Sequence, residues 1–498
     1  MSDMSNWVYT PEQVRQLDRI AIEEQGIAGY ELMCRAAAAA WTAIVCRYPA
    51  ARHFWVYCGS GNNAGDGYVL ARLALAAGLQ VRVLSVVDPA GLKGDAERAW
   101  RDFLAVGGQT EPATGTRTAQ LPDLAVDALL GTGLDRPLSG AFAAAVAELN
   151  ALAAPVVALD IPSGLHGATG AVLGCAVQAA LTVTFVGWKQ GLFLGAGPDH
   201  CGELVFSDLD IAPVATARVA PQLRCTGPED IAALLGPRAR GAHKGRFGHV
   251  VVLGGNRGFG GAALLSATAA LRSGAGLVSV VTRPEHVSAV LAARPELMVR
   301  GVSEAAEATD VLKRATVIAV GPGLGQDDWA AGLLAAALGS GRPLVVDADA
   351  LNMLAPRAQR RDEWVLTPHP GEAGRMLGAS SAAVQSDRLA ALRELTERFG
   401  GVVLLKGHGT LVAGSGAPLP WLVRGGNPGM ATAGMGDVLT GVIAGLLAQF
   451  PDAPRATVVA IAAAVHAAAG DAAAEQGERG LVAGDVCDRL PSCVNPAP

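Results

Sequence analysis

The sequence predicts an α/β protein of two domains, and three observations carry that prediction. At 498 residues the chain exceeds one ordinary domain of roughly 150 residues. Short apolar, β-rich runs alternate with Ala-rich helical stretches, which indicates mostly parallel sheets covered on both faces. The alternation stops in a Pro-, Ala- and Thr-rich stretch at 211–225 and then begins again. The expected domains are therefore 1–218 and 219–498, with the linker at 211–225.

Two helical segments, 11–25 and 31–47, come first. Strands are expected at 54–58, 81–87, 124–130, 156–162, 181–187 and 203–209, with helices such as 65–77 and 141–152 between them. In the second half, strands are expected at 249–255, 277–282, 316–322, 343–349, 363–368 and 402–407, then a hairpin near 410–413. The closing stretch, from 434 to about 488, reads as helical and Ala-rich.

Composition narrows the function. Half the chain is hydrophobic (51%) and only 17% is charged, enough to bury large cores and to exclude general disorder. A net charge of −6 and 5% aromatic residues argue against a nucleic-acid partner. Glycine makes up 63 of 498 residues, above the usual roughly 7%, without a collagen-like period, so many tight loops are expected. No stretch reaches the roughly 18 apolar residues of a membrane span; the nearest, 456–470, is interrupted by His466. The first 13 residues lack the apolar core of a secretion signal, and none of the eight cysteines forms a CxxC pair. Reduced thiols and a cytoplasmic location are expected, and the Ala-rich helices permit a homo-oligomer.

In the first half, Cys-Gly-Ser-Gly-Asn-Asn-Ala-Gly-Asp-Gly (58–67) follows a strand and opens a helix. Its glycines let backbone N–H groups approach an anion, although the spacing is one residue longer than GxGxxG. Asn62, Asn63, Ala64, Gly65 and Asp66 fill the turn, where the polar residues either stabilise the backbone or touch a ligand. A second loop holds Gly131, Thr132, Gly133, Leu134, Asp135, Arg136 and Pro137, and a third holds Asp160 and Ser163. All lie beyond strand ends, where open α/β sheets bind ligands. Asp127 sits inside an apolar strand, so its charge needs either a bound cation with oxygen ligands or backbone donors.

The second half repeats the logic with other motifs. A Gly-rich loop leads into a helix beginning at Ala262, and GPGLG (321–325) supplies Gly323. Asp347 and Asp349 end one strand, and His369 and Glu372 follow another on a Pro-flanked loop. Lys406, Gly407, His408, Gly409 and Thr410 form a further loop. The most specific stretch is GNPGMATAGMGD, 426–437. Its Gly434, Met435 and Gly436 amides would make an anion hole at a helix start, with Asp437 facing a nucleophilic hydroxyl as base.

Taken together, the first-half loops resemble the YjeF N-terminal, NAD(P)H-hydrate epimerase family, over about 10–211. The second half, about 228–490, resembles the ribokinase-like superfamily, and most closely its ADP-dependent NAD(P)H-hydrate dehydratase family. The resemblance implies a Rossmann-like doubly wound N-terminal domain and a ribokinase-like C-terminal domain. It implies epimerisation of R and S hydrates of NADH or NADPH in the first half. For the second it implies dehydration of the S epimer, with ADP giving AMP and phosphate. Carried over by motif, residues 62–66, 131–137 and Asp160 contact the epimerase substrate, Asp160 as acid–base group. Asn63, Asp127 and Ser163 become potassium ligands. Ala262, Gly323, His369 and Asp437 contact the dehydratase substrate, and Lys406 to Thr410 with Gly436 contact the nucleotide. Magnesium is implied beside the nucleotide; related kinases use Asn-x-x-Glu there, where this chain has His369-x-x-Glu372. A vitamin-precursor kinase shares the Gly-x-Gly-Asp logic but leaves the first half unexplained.

Overall fold

In the N-terminal region of the computed structural model, seven parallel strands form one sheet. Their order is Thr110–Pro112, Gln80–Ser85, His53–Cys58, Leu124–Ala128, Val156–Leu159, Leu181–Phe185, Glu203–Ser207. The structure describes residues 6–113, 120–211, 218–357, 359–414 and 416–495. The chain divides into two units, Met1–Leu223 and Arg224–Pro498.

In the first unit, His53–Cys58 lies inside the sheet, which grows first to one side and then to the other. The order therefore reverses between His53–Cys58 and Leu124–Ala128, which pair with Tyr57 opposite Asp127 and Cys58 opposite Ala128. Loops leaving neighbouring strands at such a reversal diverge and open a crevice. Both strands are buried, so their sequences are nearly all apolar and Asp127 stands out. Helix Asn62–Ala76 lies so close to the sheet that a Cβ on Gly67 would come 2.6 Å from the Ala128 Cβ. Helix Pro11–Glu23 starts at a capping box, with Thr10 accepting from the Gln13 amide and Pro11 in the first turn.

The second unit repeats the doubly wound order on a longer sheet. Met298–Gly301, Leu277–Thr282, His249–Leu253, Val317–Val320, Leu344–Val346, Trp364–Leu366 and Val402–Leu405 run parallel. Thr410–Gly414 and Trp421–Val423 follow antiparallel, and Arg224 and Cys225 pair with Trp421 and Leu422. Helices Gly260–Arg272 and Met435–Gln449 cover one face. A Cβ on Gly441 would collide with the Ser266 carbonyl, so the two backbones touch.

Three expectations need correction. Residues 223–225 lie in the expected linker yet form a strand, while 212–217 lie outside the described residues. Three residues are too short for a period to show. The helix expected to begin at Ala262 begins at Gly260. The longest apolar stretch is also longer than expected: helix Arg455–Ala473 has the length and composition of a membrane span. Within the unit, 72% of that window is buried, and its partners are sheet and helix side chains of the same core. His466 interrupts the hydropathy but not the helix.

Candidate functional site

At the strand reversal of the first unit lies a cleft of about 530 Å³. It is lined by Asn62, Asn63 and Asp66 from the first loop, by residues 131–136 from the second, and by Asp160, with Asp18 and Lys189. Of the expected contacts, Ala64, Gly65 and Pro137 do not line it. A Cβ on Gly65 would press on Met33, so that glycine serves packing.

Asp127 is fully buried beneath this cleft. Its Oδ1 accepts from the Ser163 hydroxyl at 2.7 Å and the Leu129 amide at 3.1 Å; its Oδ2 accepts from the Ser163 amide at 2.8 Å. Burial pushes its carboxyl up to about 6, against the pull of these hydrogen bonds. Ser163 Oγ also accepts from the Leu130 amide at 2.9 Å, tying the second loop to the third. Asn63 is 7% exposed, and neither its amide oxygen nor its nitrogen has a hydrogen-bond partner. Such an orphan is costly unless a ligand completes it.

Asp160 adopts φ +68°, a left-handed conformation uncommon outside glycine. Its amide donates to the Val183 carbonyl at 2.7 Å, and its Oδ2 lies 3.4 Å from where a Gly131 Cβ would stand. Sequence reasoning missed its partner. Lys189, 1% exposed, donates to Asp160 Oδ1, to Thr184 Oγ1 at 2.9 Å and to the Phe185 carbonyl at 2.7 Å. All three ammonium protons are thus committed. The signal was a lysine directly after the apolar run 181–188.

The second unit gathers its motifs at the carboxyl ends of the central strands. Met435–Gln449 starts after Gly434 at φ +91°, and Asp437 stands in its first turn. Asp347, 1% exposed, receives Lys406 Nζ at 2.6 Å and Thr440 Oγ1 at 2.8 Å. A Cβ on Gly436 would lie 3.4 Å from the same Nζ, which places this glycine directly beside the ammonium. Burial and the Asp347 carboxylate push Asp437 up to about 6, against the pull of Lys406. Ser266 Oγ donates to the Asp437 carbonyl at 2.6 Å, and a Cβ on Gly323 would lie 3.0 Å from the Ala262 Cβ. Buried Arg388 donates to the carbonyls of Leu405, Lys406 and Gly409, which shapes the 406–410 loop.

His369 acts first as a helix cap. Its Nδ1 accepts from the Gly371 and Glu372 amides at 2.9 and 3.4 Å, while its own amide donates to Glu372 Oε2 at 2.9 Å. Glu372 also stands 3.8 Å from Lys406 Nζ. Another hollow of this unit, about 770 Å³ and lined by Arg238, Arg246 and Arg272, opens where strand His249–Leu253 begins, away from these loops.

Fold and site together define a two-domain α/β enzyme whose second unit is ribokinase-like. A family model described as the YjeF-related protein N-terminus matches residues 29–191, and one described as NAD(P)H-hydrate dehydratase matches residues 250–492. The bifunctional NAD(P)H-hydrate repair enzyme Nnr of Coxiella burnetii is 44% identical over 98% of this chain and 99% of its own length. The protein of that name in Escherichia coli is 42% identical, over 98% and 94%. A solved ribokinase-like superfamily protein of Enterococcus faecalis is 32% identical, with a TM-score of 0.51, over 55% of this chain and 95% of that one. The chain belongs to the bifunctional NAD(P)H-hydrate repair enzyme family.

Proposed function

We propose that the two sites act in sequence on damaged nicotinamide cofactor. The first interconverts the R and S hydrates of NADH or NADPH, and the second returns the S hydrate to NAD(P)H. The observation that carries this reading is the pairing of two chemically different carboxylate sites on one chain. Asp160 is held by a fully committed Lys189 beside an orphaned Asn63. Asp437 sits on a helix start beside Lys406 and Asp347.

In the first site Asp160 takes or gives the proton of the hydroxyl-bearing carbon's substituent, and Lys189 fixes its orientation. Asn62, Asn63, Asp66 and residues 131–136 surround the substrate. A monovalent cation fits the residues below. Asn63 offers an unclaimed amide oxygen, and Asp127 and Ser163 supply carboxylate and hydroxyl oxygens held by amides and a hydroxyl rather than by a basic side chain. Potassium bound there would offset the Asp127 charge.

In the second site Asp437 takes the proton from the hydrate's hydroxyl as that oxygen attacks the terminal phosphoryl group of ADP. The P–O bond to AMP breaks, and the amides of 434–436 with Lys406 hold the charge in transit. Phosphate then leaves with the C–O bond pair, and loss of a neighbouring ring C–H proton restores the dihydropyridine. Residues 406–410 hold the nucleotide; Ala262, Gly323 and His369 border the substrate. Magnesium has no ready-made site: Glu372 is committed to the His369 amide and neighbours Lys406, and no cluster of three metal-binding side chains exists among the described residues. Any magnesium would come with the nucleotide's phosphates. A cytoplasmic homo-oligomer acting on small molecules, with no nucleic-acid or membrane partner, completes the reading.

Product analysis with a racemic hydrate and ADP tests it. Complete conversion to NAD(P)H requires both activities. Conversion that stops at half leaves dehydration alone, and none refutes the dehydratase.

A further inference from the structure

Three carboxylates and one ammonium share the N-terminal cleft: Asp18, Asp66, Asp160 and Lys189 all line it. Lys189 is fully committed to Asp160, Thr184 and Phe185. Asp18, on helix Pro11–Glu23, and Asp66, in the second turn of Asn62–Ala76, accept no hydrogen bond and form no ion pair with the described residues. The other charged groups lining the cleft are Arg15, Asp135 and Arg136, which are exposed, and half-buried Asp95. The orphaned amide of Asn63 independently marks the same wall as one awaiting a ligand.

We propose that Asp66 is the proton donor of epimerisation, complementary to Asp160, and that Asp18 keeps it in its donating form. The inference rests on the epimerase function proposed for this cleft. A carboxyl group can donate only while protonated, and the surroundings of Asp66 favour that state. Burial acts first, then the charges of Asp160 and Asp18, and together they push Asp66 well above the usual carboxylate range against the pull of Lys189. Asp18 itself is pushed up to about 6, by burial and Asp160 against Lys189, so it is charged at neutral pH. Asp66 has no basic partner among the described residues while Asp160 is paired with the Lys189 ammonium, which divides the acid and base roles between the two carboxyl groups.

The proton count closes without a cofactor. The Asp66 carboxyl gives its proton to the departing hydroxyl, the C–O bond breaks, and the ring-nitrogen lone pair forms C=N⁺. Water leaves and a water molecule adds to the opposite face. Its new C–O bond returns the electron pair to nitrogen, and Asp160 takes the surplus proton. Transfer from Asp160 back to Asp66 through cleft water resets the pair.

The test is the pH dependence of epimerisation on separated epimers, corrected for the uncatalysed rate, in the whole chain. The unaltered chain should lose activity at high pH, where Asp66 ionises. Asp66→Asn should lower kcat by about 10²- to 10⁴-fold and remove that descending limb. Asp18→Asn should move the limb to lower pH, whatever the height of its plateau, because a like charge is gone. Thermal unfolding followed by circular dichroism verifies that both variants fold; both replacements are isosteric, and Asp18→Asn carries the test if Asp66→Asn does not fold. An Asp66→Asn enzyme that changes only KM, or an Asp18→Asn limb that stays put, overturns the proposal. Failure of the parent function looks different: Asp160→Asn would then leave epimerisation unchanged.

Discussion

Acidifying the C-terminal unit should reveal two opposed buried groups. His466 lies in helix Arg455–Ala473, 8% exposed, with Nε2 unpartnered. Burial, with Lys406 nearby, holds its imidazole down from 6.5 to about 4. Between those values the unfolded chain binds the proton and the folded chain does not, so stability falls as pH drops from 6.5 to 4. At roughly 1.4 kcal/mol per tenfold, His466 contributes a loss of about 3 kcal/mol. Asp437 has the opposite sign. Its folded carboxyl takes a proton below about 6 and the unfolded one below 3.8, so stability rises by about 3 kcal/mol over that fall. The two terms nearly cancel in the native sequence. His466→Gln should therefore gain stability from about pH 7 to about pH 4, and Asp437→Asn should lose it. Hydrogen exchange in urea, read on peptides from Arg455–Ala473, measures the unit's stability at both pH values. Equal pH responses in the two variants would refute the reasoning.

The remaining predictions concern rates and packing. Asp127→Ala should abolish potassium-dependent epimerisation while dehydration of the S epimer continues; unchanged epimerisation in potassium-free buffer would count against the cation site. Asp437→Asn keeps the side chain's size but cannot accept the hydroxyl proton, so dehydration should fall by about 10²- to 10⁴-fold with nucleotide affinity little changed. Near-native turnover would remove Asp437 as base. Gly441→Val should destabilise the second unit by about 1–3 kcal/mol, because its Cβ meets the Ser266 carbonyl and the Ala269 Cβ. Chemical denaturation that shows no loss would mean that the helices can separate freely.

What the sequence revealed depended on how local each signal was. Asp127 was legible because a charge inside an apolar strand contradicts its neighbours, and the structure does bury it fully. The Gly-rich loops were legible because strand, loop and helix follow one another directly in the chain. Lys189 was not, since it meets Asp160 across 29 residues on a two-residue strand. Asp18 was hidden differently: an acidic residue on an amphipathic helix looks like a solvated face, but here that face borders the cleft. Edge strands such as Thr110–Pro112 and Met298–Gly301 carry too few apolar residues to announce themselves. For His369 the motif pointed to substrate, while its cap role follows from a backbone turn that only coordinates display.

The contact between helices Gly260–Arg272 and Met435–Gln449 has a mechanical consequence. At Gly441 there is no room for one methyl group, and at Gly445 an added Cβ would strike Ser273 Oγ. A seam that tight behaves as a weld. It holds the loop before Gly260 and the turn before Met435 at one fixed spacing, reinforced by the Ser266 link to the Asp437 carbonyl. Any closing of the second site around nucleotide must then come from its other walls, the 406–410 loop and the segment 426–433, while the welded pair serves as the anvil against which they press.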